Sequence, residues 1–224
     1  MARFDRLHVL TTILDTGLVP IFYHPDREVA RRIVHACWDG GARAVEFTNR
    51  GDFAPDVFRE LAQWAARELP GVILGAGTVV DAPTAALYIA CGANFIVGPT
   101  LNEEVARLCN RRKVAYIPGC STPTEISAAE ELGAEIVKVF PASVGGPDFI
   151  RAVLGPCPWS KLMPTGIQAT QESITAWVQA GAAGVGVGSD LIRREWVEAG
   201  DWDAITQRVR QVLEWIRRAW EPRR

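Results

Sequence analysis

Lys138 places an ammonium inside the apolar run Ile136-Val137-Lys138-Val139-Phe140, a segment that reads as a buried strand. Of the 24 basic residues, 21 are arginine, and only Lys113, Lys138 and Lys161 are lysine. A chain that uses arginine wherever it merely needs a positive charge has a specific use for an amine at 138. Arginine stays protonated, whereas a desolvated amine can lose its proton and attack a carbonyl carbon. An unperturbed amine of pKa ~10.4 is neutral in about one molecule in 2500 at pH 7, so such a nucleophile needs an enclosing site. The plainer reading is a strand-end lysine that snorkels to solvent or pairs with a carboxylate.

Other polar residues stand at the ends of apolar runs. Glu46, in Glu46-Phe47-Thr48-Asn49-Arg50, either shuttles protons for the amine or simply neutralises Lys138 as a buried ion pair. Arg50 is suited to clamp a substrate carboxylate bidentately, although an isolated arginine also reads as a surface residue. Gly166, Gly188 and Ser189 are suited to seat a phosphate on backbone N–H groups, or serve only tight turns. The three histidines, His8, His24 and His35, all fall in the first two expected elements and have no ligand spacing, so no metal site is expected. His24 either faces the site or belongs to an ordinary turn in His24-Pro25-Asp26. Cys120 lacks a histidine base and reads as a small lining residue.

Positioning these groups requires strands. Short runs rich in Val, Ile and Ala predict strands at Val19–Tyr23, Ala44–Thr48, Val72–Ala76, Phe95–Val97, Tyr116–Pro118, Ile136–Val139, Leu162–Pro164 and Gly184–Val187. Helical periodicity separates them, at about Asp26–Trp38, Pro55–Glu68, Ala82–Ala90, Asn102–Arg111, Pro123–Leu132, Pro147–Leu154 and Gln171–Gln179. Asp81, Asn102 and Thr122 mark helix starts, and Gly40, Gly92, Gly133 and Gly181 mark ends. Trp202 to Ile216 is amphipathic, with Ile205, Val209, Val212 and Ile216 on one face. Eight alternating units without a composition break predict one (β/α)8 TIM barrel, with a doubly wound open sheet as the alternative. Residues 1–17 hold an extra leading helix (Leu7, Leu10, Ile13, Leu14) placed to close the barrel bottom; 18–192 form the barrel core and 193–224 a C-terminal helical segment. In a barrel the polar strand ends gather at one mouth, and alternate strands let Glu46 and Lys138 meet inside.

Bulk properties narrow the class. A formal charge of −2 with interspersed signs excludes a broad basic surface for nucleic acid. The basic clusters Arg111-Arg112-Lys113 and Arg223-Arg224 read as solvated ends. Five widely spaced cysteines without a CxxC argue against a disulfide framework or zinc site and fit a reducing cytoplasm. No stretch approaches the ~20 apolar residues of a membrane helix, and the N-terminus does not read as a signal peptide. Trp196, Trp202, Trp215 and Trp220 either cover an interface or pack the last helix onto the barrel.

Seven segments occur in an order that closely resembles the 2-keto-3-deoxy-6-phosphogluconate (KDPG) and 4-hydroxy-2-oxoglutarate (KHG) aldolase family. They are Glu46-Phe-Thr-Asn-Arg50, Gly75-Ala-Gly-Thr78, Phe95-Ile-Val-Gly-Pro99, Ile117-Pro-Gly-Cys-Ser-Thr-Pro-Thr-Glu125, Val137-Lys-Val-Phe-Pro141, Pro164-Thr-Gly166 and Val185-Gly-Val-Gly-Ser189. The resemblance implies a class I aldolase in which Lys138 forms a Schiff base with a keto acid and Glu46 moves protons. It further implies that Arg50, Thr78 and Thr165 hold the pyruvate-derived carboxylate, that Phe140 and Pro99 shape the pocket, and that Gly166, Gly188 and Ser189 receive a distal phosphate. It implies a homotrimer, a small-molecule keto acid as partner, and no cofactor.

Two departures from the family pattern touch the distal end of that substrate. Phe22-Tyr23-His24 stands where many relatives carry an arginine, and Pro164-Thr165-Gly166-Ile167 aligns best with the loss of one glycine from Pro-Thr-Gly-Gly. The expected aldehyde partner is therefore smaller or unphosphorylated, such as glyoxylate, or its phosphate is reached by other groups. A phosphate-binding isomerase or epimerase with Glu46 as base, and a barrel without turnover, stay open as alternatives.

Overall fold

The computed structural model describes residues 2–221 of the chain; the expected basic pair Arg223-Arg224 lies outside them. The element order is α1 (Arg6–Thr16), β1 (Leu18–Phe22), α2 (Arg27–Asp39), β2 (Ala44–Thr48), α3 (Ala54–Glu68), β3 (Ile73–Gly77), α4 (Ala82–Ala90), β4 (Phe95–Val97) and α5 (Glu103–Arg112). It continues with β5 (Ala115–Ile117), β6 (Gly119–Cys120), α6 (Pro123–Glu131), β7 (Val137–Val139), a 3-10 turn (Ala142–Val144), α7 (Gly146–Leu154), β8 (Leu162–Pro164), α8 (Gln171–Ala180), β9 (Val185–Val187), α9 (Arg194–Ala199) and α10 (Trp202–Trp220).

All strand pairs are parallel. A curled six-stranded sheet has the order β5-β4-β3-β2-β1-β9, and a three-stranded sheet the order β6-β7-β8. The expected strand at 116–118 is divided at Pro118, which has no N–H to give to a ladder. The Pro118 carbonyl still accepts from Lys138 N at 2.9 Å. On the other side a bridge joins Thr165 to Gly186, and Ala183 N donates to the Leu162 carbonyl at 2.9 Å.

Alternation of side chains separates two cores. Inside the curl, Val19, Ala44, Ile73, Phe95, Val97, Ala115, Ile117, Ile136 and Met163 pack with Val9, Leu10 and Ile13 of α1, so the leading helix plugs the N-terminal end of the strands. Leu7, expected on that apolar face, is exposed instead. Outward-facing strand residues pack against the helices in a larger core. There α10 lies across α2 and α8, burying Ile205, Val209, Val212 and Ile216 as its periodicity predicts. Trp196, Trp202, Trp215 and Trp220 are partly buried against this core, so they pack the C-terminal helices onto the body.

The helix signals act as read. Asp81 caps α4 by accepting from Thr84 N, and Asn102 caps α5 through Val105 N. Thr122 and Glu125 form a reciprocal capping box on α6.

Candidate active site

The C-terminal strand ends surround a cleft of about 1160 Å³. Lys138, Glu46, Arg50, Thr78, Pro99, Phe140, Thr165, Gly166, Gly188 and Ser189 all line it. Residues from β2, β3, β4, β7, β8 and β9 therefore converge, which no single segment of sequence could ensure. His24 lines the same cleft, with Nδ1 accepting the Asp26 N–H at 3.1 Å. Cys120 does not, because it is buried on the helix-facing side; burial pushes its thiol up to about 12, with Glu125 and Glu130 adding to the rise.

Lys138 and Glu46 each sit one step above an apolar floor. In β2 the inward column is Ala44, Glu46, Thr48; in the β7 segment it is Ile136, Lys138, Phe140. Strand alternation thus places both charged groups between a greasy base and an open mouth. Lys138 is 7% exposed, and its Nζ lies 4.8 Å from the Phe140 ring centroid, within cation–π range.

Glu46 is 1% exposed, and among the described residues neither carboxylate oxygen has a hydrogen-bond partner. That excludes the contact ion pair with Lys138 that the sequence left open. Burial pushes the Glu46 carboxyl above the ordinary carboxylate range, while the charges of Lys138 and Arg50 pull it partly back. An orphaned buried carboxylate costs several kcal/mol and marks a group held ready for a partner. Room for it is made by the neighbouring strand: a Cβ on Gly77 would stand 1.8 Å from Glu46 Oε1.

Around these two lie groups suited to anion binding. Arg50 is exposed at the rim. Thr78 holds a left-handed backbone at φ +58°, an outlier for a β-branched residue, and such strain is found at ligand clamps. Thr165 is buried beside Gly186.

Several cleft residues were missed by the sequence reading. Thr48 is buried with Oγ1 donating to the Phe22 carbonyl at 3.3 Å; Gln168 and Asp190 also line the cleft. Strand alternation from Glu46 could have found Thr48. Asp190 had no such signal, because its contact is with Ala169 N, 3.2 Å away and 21 residues earlier. Arg194 and Glu198 also line the cleft, paired to each other at 2.6 Å. Among the described residues no group of three or more His, Cys, Asp or Glu could hold a metal ion, and no helix is long and apolar enough to cross a membrane.

Known proteins are similar to this chain in sequence and in fold. The KHG/KDPG aldolase of Escherichia coli K12 is 33% identical over 207 residues, covering 91% of this chain and 94% of its own. The 2-dehydro-3-deoxy-phosphogluconate aldolase of Pseudoalteromonas atlantica is 33% identical over 197 residues, covering 88% and 89%. In three dimensions, KDPG aldolase from Legionella pneumophila, solved with pyruvate captured at low pH as a covalent carbinolamine intermediate, superposes with TM-score 0.81 at 26% identity, over 90% of this chain and 96% of that one. The profile described as "Aldolase: KDPG and KHG aldolase" matches residues 10–208. With the match spanning nearly every element that builds the cleft, the chain belongs to the KDPG and KHG aldolase family.

Proposed function

We propose that this chain is a class I aldolase that cleaves KDPG or a related 2-keto-4-hydroxy acid to pyruvate and an aldehyde, with Lys138 as the imine-forming amine. The observation that carries the reading is the buried pair: an amine and an unpartnered carboxylate facing one cleft without a hydrogen bond between them.

The chemistry follows from that pair. The Lys138 amine adds to the C2 keto carbon, giving a carbinolamine that loses water to a protonated imine. The imine accepts the electron pair of the C3–C4 bond as that bond breaks, while the C4 hydroxyl proton passes to Glu46, directly or through one water. The products of this step are an aldehyde and an enamine on Lys138. Glu46 then returns the proton to C3, and water releases pyruvate and restores the amine. A carboxylate raised by burial is a better base than an ordinary one and still gives the proton back. Arg50, Thr78 and Thr165 hold the substrate carboxylate, and Phe140 and Pro99 close the sides. Gly166, Gly188 and Ser189 face the aldehyde portion, where the family reading seats a phosphate.

The same proposal extends to architecture. The two sheets act as one closed (β/α)8 barrel within a single domain. Supporting this are the hydrogen bond from Lys138 N to Pro118, the Thr165 to Gly186 bridge, and an inner core drawing on strands of both sheets. The enzyme works in the cytoplasm as a homotrimer without a cofactor. Exposed Phe53, Val80, Val144 and Trp159 offer apolar surface for such contacts.

Pyruvate release from KDPG and from 4-hydroxy-2-oxoglutarate tests the reading. Wild type should release pyruvate from at least one of them. Lys138→Met should abolish release, and Glu46→Gln should lower kcat by ~10²-fold or more, within the span expected of a general acid–base. Release that survives Lys138→Met would overturn the assignment.

A further inference from the structure

Two tyrosines bracket Arg50, the residue that would meet the carboxylate of the keto acid. The β2 ladder ends where Asn49 N donates to the Gly77 carbonyl at 2.8 Å. Arg50 follows on a turn, its own N–H donating back to the Thr48 carbonyl at 3.0 Å. Helix α3 then starts without a side-chain cap, after Phe53 in a left-handed conformation at φ +60°. Neither the sheet nor the helix therefore fixes the backbone that carries Arg50, and a long exposed side chain delivers its guanidinium accurately only from a backbone that is held.

An aromatic array supplies the hold. Tyr23, Phe47, Phe58 and Tyr88 contact one another in succession, with ring centroids 5.6, 5.9 and 5.2 Å apart. Phe47, Phe58 and Tyr88 are fully buried, so the middle of the array is fixed by close packing. Its two ends return to one loop on either side of Arg50. The Tyr88 hydroxyl donates to Asn49 Oδ1 at 2.9 Å, and the phenol edge of Tyr23 lies on Gly51. A Cβ on Gly51 would collide with the Tyr23 hydroxyl and stand 2.7 Å from its Cζ, where real Cβ contacts stay above 3.0 Å. Gly51 has an ordinary backbone, so its missing side chain serves the close approach of Tyr23 rather than an unusual conformation. Tyr23 is half-buried at the end of β1 and lines the same cleft as Arg50 and Lys138.

Resting on the aldolase reading above, we propose that Tyr23 is a positioning residue: its contact with Gly51, opposite the Tyr88 bond to Asn49, sets where Arg50 meets the substrate carboxylate.

The test is the pyruvate dependence of borohydride trapping, which yields a half-saturating concentration and a maximal rate of adduct formation. It is run on wild type, Gly51→Ala, Tyr23→Phe, Arg50→Ala, and Arg50→Ala combined with Gly51→Ala. Gly51→Ala forces the loop and Tyr23 apart, so half-saturating pyruvate should rise about tenfold, within the ~10²-fold that a misplacement of about 1 Å costs, while the maximal rate stays within about threefold. Tyr23→Phe keeps the ring and removes the atom nearest Gly51, and should give a rise of about threefold as the loop slackens. Thermal melts check folding, and Tyr23→Phe takes the place of Gly51→Ala throughout if the latter does not fold. With Arg50 already replaced by alanine, Gly51→Ala should add less than about twofold, because the group it displaces is gone. An equal rise with Arg50 absent, a loss confined to the maximal rate, or half-saturation unmoved in the folded single variants would overturn the inference. Those results with an intact wild-type adduct remove only the role of Tyr23, whereas no wild-type adduct removes the aldolase reading and this inference with it.

Discussion

Replacing Gly77 by alanine should disable the proton-transfer carboxylate while leaving the amine in place. A Cβ at this position would lie 1.8 Å from Glu46 Oε1, 2.5 Å from its Cδ and 2.8 Å from its Cγ. Real Cβ contacts do not fall below 3.0 Å, so the end of Glu46 must retreat by more than an ångström or rotate to another rotamer. A displacement of about 1 Å of a reacting group costs ~10²-fold in rate, and overpacking of this kind costs ~1–3 kcal/mol in stability. Gly77 ends β3 and has an ordinary backbone, so alanine brings a steric effect without a conformational one. The assay pairs steady-state pyruvate release with single-turnover trapping of pyruvate by borohydride. We expect kcat to fall ~10²-fold while the trapped adduct still forms on Lys138. A variant whose kcat stays within about threefold of wild type would refute the argument that Glu46 must occupy the space above Gly77.

Two further expectations concern stability and its link to the site. Because burial raises the Glu46 carboxyl above its unfolded value, the folded protein holds that proton more tightly than the unfolded chain does. The associated stability is present at low pH and lost as pH rises through the raised value. Glu46→Gln should therefore raise the melting temperature more at about pH 8 than at about pH 4, and a gain that is equal or larger in acid would contradict the stated cause. Tyr88 is fully buried and its hydroxyl donates to Asn49 Oδ1 at 2.9 Å, beside Arg50. Tyr88→Phe keeps the packing and deletes that bond, so stability should drop by about 1 kcal/mol and KM for the keto acid should rise more than kcat falls. Unchanged melting by calorimetry would show that the bond contributes nothing.

The parts of this protein that were legible in its sequence are those governed by local period. The strands were readable because inward and outward residues alternate, and that alternation let Glu46, Lys138 and the polar strand ends be assigned to one mouth. Helix caps were readable because Asp81, Asn102 and Thr122 act within three residues of themselves. What was not legible depends on contacts distant in sequence. The carboxylate of Asp190 on Ala169, and the Tyr88 hydroxyl on Asn49, join residues 21 and 39 positions apart with no periodic signature. Leu7 misled because its spacing fits the apolar face of α1, yet it is exposed while Val9, Leu10 and Ile13 reach the floor of the curled sheet and Leu14 packs partly buried against it. Short α9 lies between Ile192 and the Asp201 cap, and six residues are too few for periodicity to declare it.

Lys138 should form an imine with pyruvate. Incubation with pyruvate and borohydride, followed by intact mass and peptide mapping, tests it most directly. We expect one reduced pyruvate adduct per chain, carried on the peptide containing Lys138 and absent from Lys138→Met. No adduct on wild type, or an adduct that persists in the variant on Lys113 or Lys161, would contradict it.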